Sequence, residues 1–296
     1  MSASWLMVLA SFLFATMGVC VKLASAEYSP GEIMFYRGLL GAVLIWGLAH
    51  SRGVSLKTAV PASHFWRSLS GVIAMFLWFY ALGQLPVATA MTLNYMSSVW
   101  MALFLIGGAA MLGAARVDGR LVGTVLLGFG GVALILRPTI EHDQLWHGLM
   151  GLLSGMISAT AYLQVAALAR AGEPELRIVF YFSIGGAVFG ALTTVLTGVH
   201  GHSLRGAALL LSVGALATAA QLMMTRAYST GRTLVNASLQ YLGIAFSFGY
   251  GVLLFNDRVT WMAIGGMLLI VGAGLSATLL RSRSAPPDTA NSPLET

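Results

Sequence analysis

One apolar pattern occurs twice in this chain, and nothing else limits its fold as tightly. Leu93-Asn94-Tyr95 returns as Leu239-Gln240-Tyr241, each triplet following an alanine-containing dipeptide, Ala81-Leu82 or Ala227-Tyr228, at the same spacing. Ala15-Thr16 pairs with Ala159-Thr160, Phe35-Tyr36 with Phe180-Tyr181, and Gly41-Ala42-Val43 with Gly186-Ala187-Val188 at nearly the same offset. Near the end of each copy, Arg116-Val117 and Gly123 match Arg258-Val259 and Gly265. A duplicated hydrophobic chain with polar residues at matching depths implies a membrane carrier made of two halves.

Composition agrees. The chain is 57% hydrophobic and 9% charged, too few charges to cover a soluble protein of this length. Its apolar runs are about 20 residues long, enough to cross the bilayer as helices and about twice a barrel strand. Ten spans are predicted, at 4–25, 30–49, 65–84, 87–109, 119–137, 146–168, 177–199, 206–227, 232–255 and 259–280. The expected fold is thus an all-α membrane protein of ten transmembrane helices. An odd number of spans per half forces the second copy to enter from the opposite side, giving two inverted five-helix repeats, 1–138 and 139–283, and a tail, 284–296, expected to be disordered. The first span is expected to belong to the fold despite Ala24-Ser25-Ala26, which resembles a signal-peptide cleavage site. Gly151-x-x-x-Gly155 and Gly186-x-x-x-Gly190 have the spacing of close helix packing, though chance explains such pairs equally well in a glycine-rich chain.

Positive charge sets orientation. On the side of the N-terminus lie Arg52, Lys57, Arg67, Arg116, Arg120, Arg170, Arg177, Arg232, Arg281 and Arg283; the other side holds Arg137, Arg205 and Arg258. This places both termini in the cytoplasm of a multi-pass inner (cytoplasmic) membrane protein. The net charge of +6 is then a topology signal, and no basic, aromatic-interleaved stretch suits nucleic acid. Cys20 is the single cysteine, so no intrachain disulfide forms.

The residues Phe35-Tyr36-Arg37, Ala81-Leu82 through Pro86, Ala88 and Ala90, then Gln221, Arg226-Ala227-Tyr228, Tyr241, Phe255-Asn256-Asp257, Gly265 and Gly272 together resemble the EamA-type, ten-helix members of the drug/metabolite transporter superfamily. The chain departs from that pattern at Asp257, where Glu is usual. It also has no acid in Leu112–Ala115, and Ser97-Ser98 stand where a proline is common. The resemblance implies an alternating-access carrier of small metabolites: amino acids or related amphipathic solutes first, nucleoside-like or vitamin solutes as the alternative.

Charges within the spans are Lys22, Arg37 and Arg226. Lys22 and Arg226 are near span ends and can snorkel. Arg37 lies about 10 Å deep and is expected in the outer half, away from the centre, as a helix tie or gate, with substrate-anion binding as the second role. No Asp or Glu sits mid-span, which favours a neutral, zwitterionic or anionic substrate over a cationic drug. Asn94 and Tyr95 with Gln240 and Tyr241 are expected to line one midplane cavity bordered by Trp78 and Gln221, since like chemistry recurs at like depth. Ser154, Ser158 and Tyr162, and Thr218, Gln221 and Thr225, form further polar stripes. No His lies deep enough to serve a hydrolase, and no charged ring marks a channel. No catalytic residue, cofactor or metal site is expected, and the protein is read as not an enzyme. The partners expected are a small-molecule substrate and the lipid bilayer, with a homodimer compatible with this reading.

Overall fold

The computed structural model describes residues 2–111, 144–231, 239–257 and 260–284, with Gly123, Leu127, Gly130, Gly131, Leu134 and Asn236. Its ordered elements are helices: α1 (Ala3–Ala24), α2 (Pro30–Ser51), α3 (Pro61–Gln84), α4 (Val87–Tyr95), α5 (Ser97–Met111), α6 (Leu145–Arg170), α7 (Glu175–Thr197), α8 (Leu204–Thr230), α9 (Leu242–Phe255) and α10 (Trp261–Ser284). Among the described residues there is no strand. Six helices, α1, α2, α3, α6, α7 and α8, have the length and apolarity to cross a membrane. Most of the expected fifth span (119–137), Arg116, Arg232, Arg258, Leu112–Ala115 and the tail beyond Ser284 lie outside the described residues.

Local sequence sets the helix starts. Ser29 and Glu32 form a reciprocal capping box ahead of Pro30, which enters helix at no cost because its missing N–H would be unpaired there. Ser203 caps α8 through the Gly206 N–H at 2.8 Å, and Ser2 caps α1. α9 ends at Asn256, whose left-handed backbone (φ 53°) suits a helix C-terminus.

The helices pair across the chain: α2 packs on α7, α1 on α8, and α3 on α6. The α2–α7 contact is backbone to backbone. A Cβ on Gly38 would collide with the Ala187 nitrogen, and one on Gly190 with Phe35. Gly155 of the other glycine pair meets the Leu93 carbonyl oxygen, 2.6 Å from where its Cβ would lie, so these glycines are contact points. Gly151 and Gly186 face side chains at looser range. The outward faces carry apolar residues such as Val195, Leu196, Leu204 and Leu253, and exposed Trp5, Trp46, Trp66, Trp146 and Trp261 lie near helix ends, as an interfacial aromatic belt requires.

Candidate functional site: a buried cavity at two helix breaks

The expected fourth and ninth spans are both broken. α4 stops at Tyr95, and α5 starts at Ser97 after a tight turn in which Val99 N–H bonds the Met96 carbonyl at 3.0 Å. In the second half, Gln240 and Tyr241 form the turn before α9, with Gly243 N–H on the Gln240 carbonyl at 2.9 Å and Ile244 N–H on the Tyr241 carbonyl at 3.0 Å. The first break has no proline or glycine at the turn to announce it, and the second has only Gly243 at the turn's last position. Discontinuous helices at membrane depth are where carriers place polar backbone and substrate contacts.

A cavity of about 60 Å³ lies beside both breaks. Asn94, Tyr95, Gln240, Trp78 and Gln221 all line it, together with Arg37, Arg67, Ser158, Tyr162 and Phe182. Asn94 is held by α6: its side-chain nitrogen donates to Ser154 Oγ at 3.0 Å and Ser158 Oγ at 3.4 Å. Gln240 Nε2 meets Met224 Sδ at 3.5 Å. The Tyr95 ring packs on Gly243, which has no room for a Cβ. A cavity of this size is small beside the several hundred Å³ usual for a site that encloses an organic ligand.

Two expectations need correction. Tyr241 does not reach this cavity. It lines a separate apolar groove of about 510 Å³ between α9 and α10, with Phe248, Met267 and Leu268, because the turn at Gln240 points successive side chains in different directions. Arg37 lies on the central cavity wall, not away from it in the outer half. Its long side chain runs inward from α2, and its guanidinium carbon sits 5.0 Å from the Phe182 ring centroid on α7.

Arg67 shares that ring at 4.4 Å. Sequence reasoning misses it, because a charge beside a span reads as a flanking anchor. Pro61 at the helix start is the available signal, since it places Arg67 six residues inside α3, about 9 Å deep. Arg37 is 5% and Arg67 2% exposed. Even at the widest separation allowed by the two ring contacts, their charges repel by about 2 kcal/mol at an effective dielectric of about 20. A shared ring face offsets about 0.5–2 kcal/mol for each cation.

Lys22 reaches a helix end. Its Nζ donates to the Gly83 and Leu85 carbonyls at 3.0 and 2.9 Å, satisfying the end of α3. It also faces Asp257, in the α9–α10 turn, whose carboxyl burial pushes up, against the pull of Lys22 and the Val87 N–H. Arg226 is exposed, 4.0 Å from Glu175.

Carboxylates tie the bundle at both ends. Between α6 and α7, Glu173 accepts from Thr58 at 3.0 Å and Arg177 at 2.9 Å, and pairs with His64 Nε2 at 2.9 Å. Burial pushes this carboxyl up, but those three hydrogen bonds outweigh it and hold the group below the usual glutamate range. At the start of α2, Glu32 accepts from the His200 backbone N–H and meets His200 Nδ1, both at 2.7 Å. Among the described residues no cluster of His, Cys, Asp and Glu could hold a metal ion.

The EamA-like transporter family matches residues 1–137. The chain is 31% identical to the pseudopaline exporter CntI of Pseudomonas aeruginosa (strain UCBPP-PA14) over 269 residues, 90% of this chain and 93% of that protein. It is 25% identical to an uncharacterized transporter of Helicobacter pylori (strain J99) over 93% of each chain. A solved crystal structure shares its fold with a TM-score of 0.70 at 19% identity, covering 96% of this chain and 99% of the other. Identity and coverage on that scale, with membrane-length helices around a buried polar cavity, establish that the chain belongs to the EamA-like transporter family and is a multi-pass membrane transporter.

Proposed function

We propose that this protein carries small organic metabolites, amino acids or related amphipathic solutes, across the cytoplasmic membrane by alternating access, in the export direction. The observation that carries the reading is the polar cavity at two helix breaks, lined by Asn94, Tyr95 and Gln240. Its amides would orient the polar group of a solute and its rings would pack the apolar body. The direction rests on the exporter relative.

Ten spans in two inverted halves, with both termini cytoplasmic, complete the proposal. Helix pairing supports it. If α6, α7 and α8 repeat α1, α2 and α3 inverted, the α1–α8 contact has the α3–α6 contact as its mate, and α2–α7 lies on the pseudo-axis. Those are the three dominant pairings. The lesser contacts follow suit, α1–α9 with α5–α6 and α2–α8 with α3–α7.

The test is counterflow in proteoliposomes with a panel of labelled metabolites. At least one solute should exchange, and Asn94→Ala with Gln240→Ala should reduce its exchange at least tenfold at normal expression. Unchanged exchange in the double variant would reject the site.

A further inference from the structure

Several buried charges outside the cavity are closely paired. Glu32 has His200, Glu173 has His64 and Arg177, and Lys22 has two carbonyls. Among the described residues, the guanidiniums of Arg37 and Arg67 have no hydrogen bond and no ion pair. Nε of Arg37, and Nε and Nη1 of Arg67, are buried without a partner. Their shared neighbours carry no charge, the Phe182 ring and the Tyr162 phenol. A helix tie would look like Lys22, with carbonyls in reach. The same wall presents two more buried donors without partners, Trp78 Nε1 and Gln221 Nε2, against one such acceptor, Gln240 Oε1. Among the described residues no carboxylate lines the cavity.

We infer that the solute taken by this cavity is a small organic dianion, held by Arg37 and Arg67 as a twin guanidinium clamp. Buried unpaired cations are costly, and that cost is recovered when an oxyanion enters. Guanidinium forks match the planar oxygens of carboxylates and the oxygens of a phosphate, so a dicarboxylate or a phosphomonoester supplies the chemistry. Trp78 and Gln221 would add donors to the same oxygens. The inference deepens the carrier reading and rests on it only for the claim that the bound anion is cargo.

The experiment is thermal unfolding of the purified full-length protein in detergent at constant ionic strength. The added solutes are glutarate, its monoamide, glycerol 3-phosphate, glutamine or putrescine. Glutarate or glycerol 3-phosphate should raise the midpoint and bind at least tenfold tighter than the monoamide, and which of the two does so assigns carboxylate or phosphate. Arg37→Gln and Arg67→Gln should each weaken that binding at least tenfold, with Arg67→Lys in between. Without added solute, Arg67→Gln should unfold at a higher temperature than the parent, because a buried unpaired charge is gone. Equal shifts from glutamine or putrescine, no shift from either dianion, or an Arg67→Gln protein that is less stable or fails to fold would each overturn the clamp. Counterflow separates the two proposals. A dianion that binds but never exchanges removes the carrier and keeps the clamp. A neutral solute whose exchange survives Arg67→Gln removes the clamp and keeps the carrier.

Discussion

Glu173 shows how much one carboxylate can organise outside the apolar core. Through Thr58 and His64 it fixes the α2–α3 connection to the α6–α7 turn, and Arg177 strengthens the joint by donating to the Ser55 carbonyl at 3.1 and 2.8 Å. Replacing Glu173 by Gln should cost about 1.5–3 kcal/mol at neutral pH, the range for hydrogen bonds to a charged group. The sign of the pH effect follows from the depressed carboxyl. A folded-state value below the ordinary 4.5 gives stability that is present above that value and is lost as pH falls through the folded one. Melting curves of the parent should therefore fall more steeply below pH 4.5 than those of Glu173→Gln. Parallel curves would assign the hub no electrostatic role.

At the scale of helices, the contact between α6 and the break after Tyr95 is the most demanding. A Cβ on Gly155 would lie 2.6 Å from the Leu93 carbonyl oxygen and 2.9 Å from that of Asn94, both backbone atoms that cannot swing away. Gly155→Val should destabilise the protein by about 1–3 kcal/mol or more, and should loosen Asn94 from Ser154. A methyl group on Gly47 in α2 would meet nothing within 4 Å, so Gly47→Ala should be neutral or stabilising by about 0.5–1 kcal/mol. Thermal melts of the two variants test the contrast. The membrane-length helices and the meeting of Asn94, Tyr95 and Gln240 at one cavity are legible in sequence because burial and depth leave a hydropathy trace. The helix breaks are not, since Met96 carries no local turn signal, a lone Gly243 in a glycine-rich chain is a weak one, and tertiary packing decides there. Arg67 hides for a different reason. A charge near a span end reads as an anchor unless the start of the helix is known.

Across the whole molecule, the cavity lies between two histidine–carboxylate ties, Glu32–His200 at one end of the bundle and Glu173–His64 at the other. Each joins a connection to the far half of the chain, and a gating role for the ties predicts that breaking one opens one mouth. In a Cys20→Ser background, cysteine at Ala161 on the cavity wall should react slowly with a membrane-impermeant thiol reagent from either side. Adding His200→Ala should speed labelling from the periplasmic face, and His64→Ala from the cytoplasmic face. Equal labelling from both faces in both variants would deny the ties a gating role. The stacked Arg37 and Phe182 have a consequence for ancestry. On the duplicated reading they hold the same place in their copies, Phe35-Tyr36-Arg37 against Phe180-Tyr181-Phe182. One half would then supply the cation and the other the ring beneath it. Two copies of the first half would oppose arginine to arginine, and two of the second would oppose phenylalanine to phenylalanine. On that reading each half supplies what the other lacks, and neither alone would reproduce the contact.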